Sequence, residues 1–155
     1  MDRSRRIILV ALCLALVVGV AKLRPSSAVT GPATIRVIAH QIESAAVDIG
    51  RPGQSPGDAQ LFTALIYNTR VTPKSIGQYE LDCTFVRGES RVCRGTIHLP
   101  KGDIVVGGSM QHRQLYELAV LGGTGLYDNA RGTITVTRLG TKPITRDLLL
   151  VDLLG

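Results

Sequence analysis

The segment Gly122-Gly123-Thr124-Gly125-Leu126-Tyr127-Asp128-Asn129-Ala130-Arg131-Gly132 runs without a break into Thr133-Ile134-Thr135-Val136-Thr137-Arg138. Glycine reaches positive φ at little steric cost, and Asp and Asn bond their own backbone in turns. The run from Thr133 is β-branched and alternates polar with apolar, the pattern of a half-buried strand. The segment therefore reads as a turn between two strands. A phosphate-binding glycine loop needs a helix next, whose N-terminal amides would meet the anion. No helix can start in this β-branched run, so a nucleotide site finds no support.

The same grammar holds along the chain. Period-two patterning predicts strands over Thr34–Val47, Gln60–Val71, Gln78–Val86, Ser90–Leu99, Asp103–Ser109, Gln114–Leu121, Gly132–Leu139 and Thr145–Leu153. Turn signals separate them: Gly50 through Gly57, Pro73-Lys74, Gly88, Pro100-Lys101-Gly102, the glycine run, and Gly140 through Pro143. Short strands joined by tight turns pair antiparallel, because parallel pairing needs long crossovers. The expected class is all-β, a single barrel or sandwich, with no helix beyond the N-terminal segment. Strands such as Leu61–Tyr67 and Leu148–Val151 are apolar on both faces. The outer surface is therefore expected to be covered in places by the N-terminal segment or a second subunit.

The first residues obey different rules. Arg3, Arg5 and Arg6 precede an apolar stretch from Ile7 to Ala21, and Ser26-Ser27-Ala28 comes after Pro25. This is the layout of a secretory signal peptide, with cleavage expected after Ala28 and a mature domain over 29–155. The apolar stretch is shorter than the roughly 20 residues that span a bilayer. An uncleaved anchor flanked by Lys22 and Arg24 is the alternative, and the chain would meet a membrane only in that case. The net charge of +6 belongs mostly to this leader, since residues 29–155 hold 13 basic and 11 acidic side chains. A charge of +2 with no basic run among aromatics argues against a nucleic-acid partner.

Loss of the leader removes Cys13 and leaves Cys83 and Cys93. In an exported chain such a pair reads as a disulfide. If Arg87-Gly88-Glu89 form a hairpin loop, positions equidistant from Gly88 face each other, and Cys83 meets Cys93 at bridging distance. Two buried free thiols are the alternative. His40, His98 and His112 lie in separate segments without ligand spacing, so no metal site is expected. Ser109 lacks a nucleophile elbow, and hydrolase chemistry finds no support.

Gly57-Asp58 with Phe62 and Tyr67, the strand carrying Cys83, Leu99-Pro100-Lys101-Gly102-Asp103-Ile104, and Gly122 to Gly132 together resemble the allene oxide cyclase barrel superfamily, which includes the dirigent proteins. The similarity spans residues 34–153, and the glycine-rich turn is its most specific part. The resemblance implies an eight-stranded antiparallel barrel, often a homotrimer, whose apolar cavity steers a reactive small molecule to one stereochemical outcome. It also implies no metal and no organic cofactor.

In dirigent proteins a His-Asp pair on the first strand contributes an acid. The matching positions here are His40 and Gln41, so that acid is missing. Glu43 lies two residues on, hence on the face of Gln41, and is the candidate catalytic carboxylate. The alternative is a solvated Glu43 pointing outward. Gln41, Tyr67 and Tyr79 are candidate ligand-binding residues, with the tyrosines otherwise serving as core packing. Asp58 is expected to hold a turn, and Arg131 to play a structural part. Two functions stay open: a secreted barrel that binds an apolar or phenolic molecule and directs its cyclisation or coupling, and a non-catalytic secreted binding or structural barrel.

Overall fold

The computed structural model describes residues 31–69, 73–140 and 145–154. The expected leader, its cleavage site and the far end of the second predicted strand lie outside them. Eight strands follow one another: β1 (Ala33–Val47), β2 (Ala59–Tyr67), β3 (Gly77–Arg87), β4 (Ser90–Leu99), β5 (Gly102–Met110), β6 (Leu115–Gly123), β7 (Arg131–Arg138) and β8 (Arg146–Leu154). Each pairs antiparallel with its sequence neighbour, and β1 pairs with β8, closing an up-and-down barrel. Closure leaves no sheet edge unpaired. One departure from expectation is a single 3₁₀ turn at Gly125–Tyr127 inside the glycine-rich segment. The strand expected to reach Val71 ends at Tyr67, where Asn68 and Thr69 bend the chain.

Alternation sorts the side chains. Val37 and Ala39 of β1, Ala64 and Ile66 of β2, Leu81 of β3, Ile97 of β4, Ile104 and Val106 of β5, Leu118 and Val120 of β6, Ile134 and Val136 of β7, and Leu149 and Val151 of β8 fill the interior. A small eight-stranded barrel is just wide enough for its own side chains to fill it. On the outer wall Leu61, Val92, Val105 and Leu121 stay 38–51% exposed. The described residues leave them about half uncovered.

The β3–β4 hairpin has the expected register. Cys83 faces Cys93 and Phe85 faces Arg91, both inside the barrel. Gly88, at φ 54°, makes the tight turn, and a bulge between Phe85 and Arg87 absorbs the odd residue. The disulfide Cys83–Cys93 is formed and fully buried.

Two of the motifs that carry the resemblance meet at one end of the barrel. Thr124 N–H donates to the Asp103 carbonyl (2.9 Å), Asp103 N–H to Thr124 Oγ1 (3.0 Å), and Leu126 N–H to the Lys101 carbonyl (2.8 Å). Gly102, at φ 140°, sits so close that a Cβ would collide with the Thr124 carbonyl. Gly132, at φ 147°, approaches the Asp152 carbonyl in the same way. These glycines let backbone pack on backbone, closing the end where β5 begins and β6 finishes.

Candidate functional site

The opposite end of the barrel is open. Here β1, β3, β5 and β7 finish, and β2, β4, β6 and β8 begin. An inner cavity of about 40 Å³ is lined by Gln41, Phe62, Ala64, Tyr79, Leu81, Arg91, Met110, Arg113, Tyr116, Arg138 and Asp147. All eight strands contribute, and Arg113 comes from the β5–β6 loop. Above lies a vestibule of about 420 Å³, which shares Gln41, Phe62, Arg113 and Arg138 with the inner cavity. The two spaces form a funnel, narrow inside and wide at the mouth.

Three guanidinium groups and one carboxylate meet in it. Asp147 accepts from Arg138 Nε (3.0 Å) and Nη2 (3.3 Å), a forked pair across β7 and β8. The Asp147 hydrogen bond holds the Arg138 guanidinium above its ordinary range. Arg91 is different. Its side chain is 1% exposed, yet only Nη1 has a hydrogen-bond partner, Gln60 Oε1 at 2.6 Å. Its guanidinium lies over the Phe85 ring, 4.7 Å from the centroid. Glu89 Oε2 is 3.8 Å from Arg91 Nη2, too long for a hydrogen bond, and that carboxylate is 71% exposed. Burial lowers the Arg91 pKa, and the Arg113 charge lowers it further.

Two phenols complete the inner wall. Burial, and next the Asp147 charge, push the Tyr116 hydroxyl up to about 12. Burial raises Tyr79 well above the usual phenol range, with neighbouring Tyr116 adding to it. The Tyr79 and Tyr116 hydroxyls are close enough to perturb each other, but no hydrogen bond of good geometry reaches Tyr79 Oη. Both phenols are neutral donors at ordinary pH. The funnel thus offers hydrogen-bond donors and net positive charge, a setting for an anionic or developing-anionic oxygen.

The expected site residues divide. Gln41 and Tyr79 line the inner cavity. Glu43 does not, which corrects its expected placement beside Gln41. A β-bulge between Gln41 and Glu43 inserts Ile42, so Gln41 pairs with Ala64 while Glu43 pairs with outward-facing Thr63. The extra residue reverses the alternation, and Glu43 is exposed. Tyr67 is also corrected as a cavity residue. It is buried, but it comes directly after inward-facing Ile66 and so lies on the other side of the wall, opposite Ile38 and outside the core cluster. Asp58 holds its turn, accepting from Ile49 N (2.8 Å), Ser55 N (2.6 Å) and Ser55 Oγ (3.1 Å), and these backbone bonds lower its pKa.

Sequence reasoning passed over Arg91, Arg113, Tyr116, Arg138 and Asp147. A signal existed for two of them. Arg91 precedes Cys93 by two residues and Arg138 lies two beyond Val136, so each shares a face with an interior neighbour. Among the described residues, no cluster of His, Cys, Asp and Glu could hold a metal ion. No helix among them is long and apolar enough to cross a membrane.

No protein-family profile matches the chain, and no curated protein matches it in sequence. Solved structures do. A pyocyanin demethylase is 28% identical with a TM-score of 0.64, covering 76% of this chain and 99% of its own. A pterocarpan synthase dirigent protein is 14% identical with a TM-score of 0.62, covering 81% and 96%. A Diels–Alderase from Streptomyces koyangensis is 16% identical with a TM-score of 0.62, covering 77% and 63%. The fold is that of the dirigent and cyclase barrels.

Proposed function

We propose that this protein is an exported barrel that takes an aromatic or otherwise apolar small molecule of phenolic type into its funnel and directs a ring-forming, coupling or related reaction there. The observation that carries this reading is the funnel itself, where Phe62, Leu81 and Met110 meet three arginines and two protonated tyrosines. Such a site holds a flexible substrate in one reactive arrangement, which supplies orientation that free solution lacks. The guanidinium groups favour negative charge developing on a substrate oxygen, and the phenols can lend a proton. The fold shared with dirigent and Diels–Alderase barrels supports a role in directing cyclisation. The 28% identity to a pyocyanin demethylase supports a flat aromatic ligand.

A specific observation favours the non-catalytic alternative. The one carboxylate lining the cavity, Asp147, is engaged by Arg138, and Glu43 faces outward. No free general base therefore faces the funnel among the described residues. Pyocyanin is the first probe, with binding read by absorbance and products by mass spectrometry. Saturable binding with a changed product identifies an enzyme, and binding without turnover identifies a binding barrel. No binding of pyocyanin or of a panel of phenols would overturn both.

Export and assembly belong to the same proposal. Cleavage after Ala28 would give a secreted chain starting at Val29, read from the mass of protein in the medium. Retention in the membrane fraction would favour the anchor. Exposed Leu61, Val105 and Leu121 support a homotrimer that buries part of the outer wall. Sedimentation velocity distinguishes it from a monomer.

A further inference from the structure

We propose that Arg91 and Tyr79 form a deep oxyanion pocket, which takes a single anionic oxygen of a ligand whose ring body stays in the vestibule. The proposal rests on the small-molecule reading above and adds the chemical class: a phenolate or enolate, inserted oxygen first. Buried polar groups are almost always hydrogen-bonded. On the wall of the inner cavity three are not: Arg91 Nε, Arg91 Nη2 and Tyr79 Oη have no hydrogen-bond partner among the described residues. Both side chains line the same inner cavity, and both are at least 97% buried.

Size sets the orientation. A cavity needs about 10–15 Å³ of this kind to hold one water, whereas drug-sized ligands occupy pockets of roughly 300–1,000 Å³. The inner cavity, at about 40 Å³, has room for a few water-sized groups, an oxygen head among them, and is far smaller than a pocket that encloses a whole ligand. The vestibule, at about 420 Å³, has room for the ring. Charge sets the class. Facing Arg91 are the Phe85 ring of β3, Gln60 of β2, exposed Glu89 of the β3–β4 turn and Arg113 of the β5–β6 loop. Tyr116 of β6 and the Arg138–Asp147 pair of β7 and β8 complete the surroundings. Arg138 already has its carboxylate, so Arg91 is the buried cation whose charge no hydrogen-bonded carboxylate balances. A neutral ligand oxygen would leave that charge uncompensated, whereas a phenolate neutralises it and accepts from the idle donors.

The test uses 7-hydroxycoumarin, whose phenol and phenolate have distinct fluorescence excitation, and its non-ionising methyl ether, 7-methoxycoumarin. The chain has no tryptophan to interfere. The expected result is binding of the hydroxycoumarin at least tenfold tighter than of the methyl ether. The phenol pKa of the bound probe should fall by about one unit or more, since an adjacent cation favours the charged form. Arg91→Met should abolish both the preference and the shift. Because that variant can fail to fold, Tyr79→Phe is paired with it. It removes only the Tyr79 hydroxyl, and should weaken hydroxycoumarin binding three- to tenfold with a smaller effect on the ether, whose neutral oxygen is the weaker acceptor. Equal affinity for the two probes, or an unshifted phenol, would overturn the oxyanion pocket and leave the small-molecule reading standing. Binding of neither probe would count against both.

Discussion

At the scale of single residues, position relative to the barrel wall decides chemistry. Glu43 and Gln41 are both polar, yet only Gln41 reaches the cavity, because Ile42 occupies a bulge between them. Glu43→Gln is therefore expected to leave binding of pyocyanin or 7-hydroxycoumarin unchanged within twofold, read by fluorescence or absorbance titration. The phenols carry a pH dependence whose sign is fixed. The folded pKa of Tyr116, about 12, lies above the ordinary value of about 10, and Tyr79 is displaced in the same direction. Neutral phenol is the form the folded state favours. Its contribution to stability is fully present below about pH 10 and is lost as pH rises toward 12. A near-ultraviolet phenolate titration should show Tyr79 and Tyr116 ionising only together with alkaline unfolding, monitored by circular dichroism. Removing the Asp147 charge strands a half-buried guanidinium. Asp147→Asn should lower the unfolding free energy by about 2 kcal/mol in urea titrations.

At the scale of elements, two features hold strands together in ways single contacts do not. The β3–β4 hairpin is cross-linked at Cys83 and Cys93, inside the wall. A bridge that closes so short a loop constrains the unfolded chain by about 2–3 kcal/mol. The Cys83→Ala/Cys93→Ala double variant should lose about that much stability, or more from the lost sulfur packing, measured by urea unfolding. The seam between β7 and β8 depends on Gly132, whose φ of 147° and closeness to the Asp152 carbonyl exclude a side chain. Gly132→Ala should cost more than about 2 kcal/mol, because the added Cβ must shift backbone as well as adopt a strained φ. This is why the glycine-rich turn marks the fold while contributing nothing to the funnel: it lies at the closed end.

At the scale of the whole molecule, closure divides the barrel into a packed end and an open end. The open end gathers Arg91, Arg113 and Arg138 against Asp147. Association of an anionic probe should weaken severalfold as salt rises from tens of millimolar toward molar, while 7-methoxycoumarin should respond little, since screening acts on charge alone. Much of this architecture is legible in the chain. Alternation in Thr133–Arg138 and its counterparts, with turn residues at Gly88, Pro100-Lys101-Gly102 and Gly122–Gly125, determines eight antiparallel strands. The same alternation pairs Cys83 with Cys93. Local chemistry suffices for these, because strand parity and turn geometry are properties of neighbouring residues. Which polar residues converge was decided only by the tertiary structure. One bulge at Ile42 inverted Glu43, and the parity of Ile66 placed Tyr67 outside. Arg91, Tyr116, Arg138 and Asp147 come from four strands, β4, β6, β7 and β8. They meet because the closed sheet brings their inward faces around one axis, and no local pattern in the chain encodes that distance.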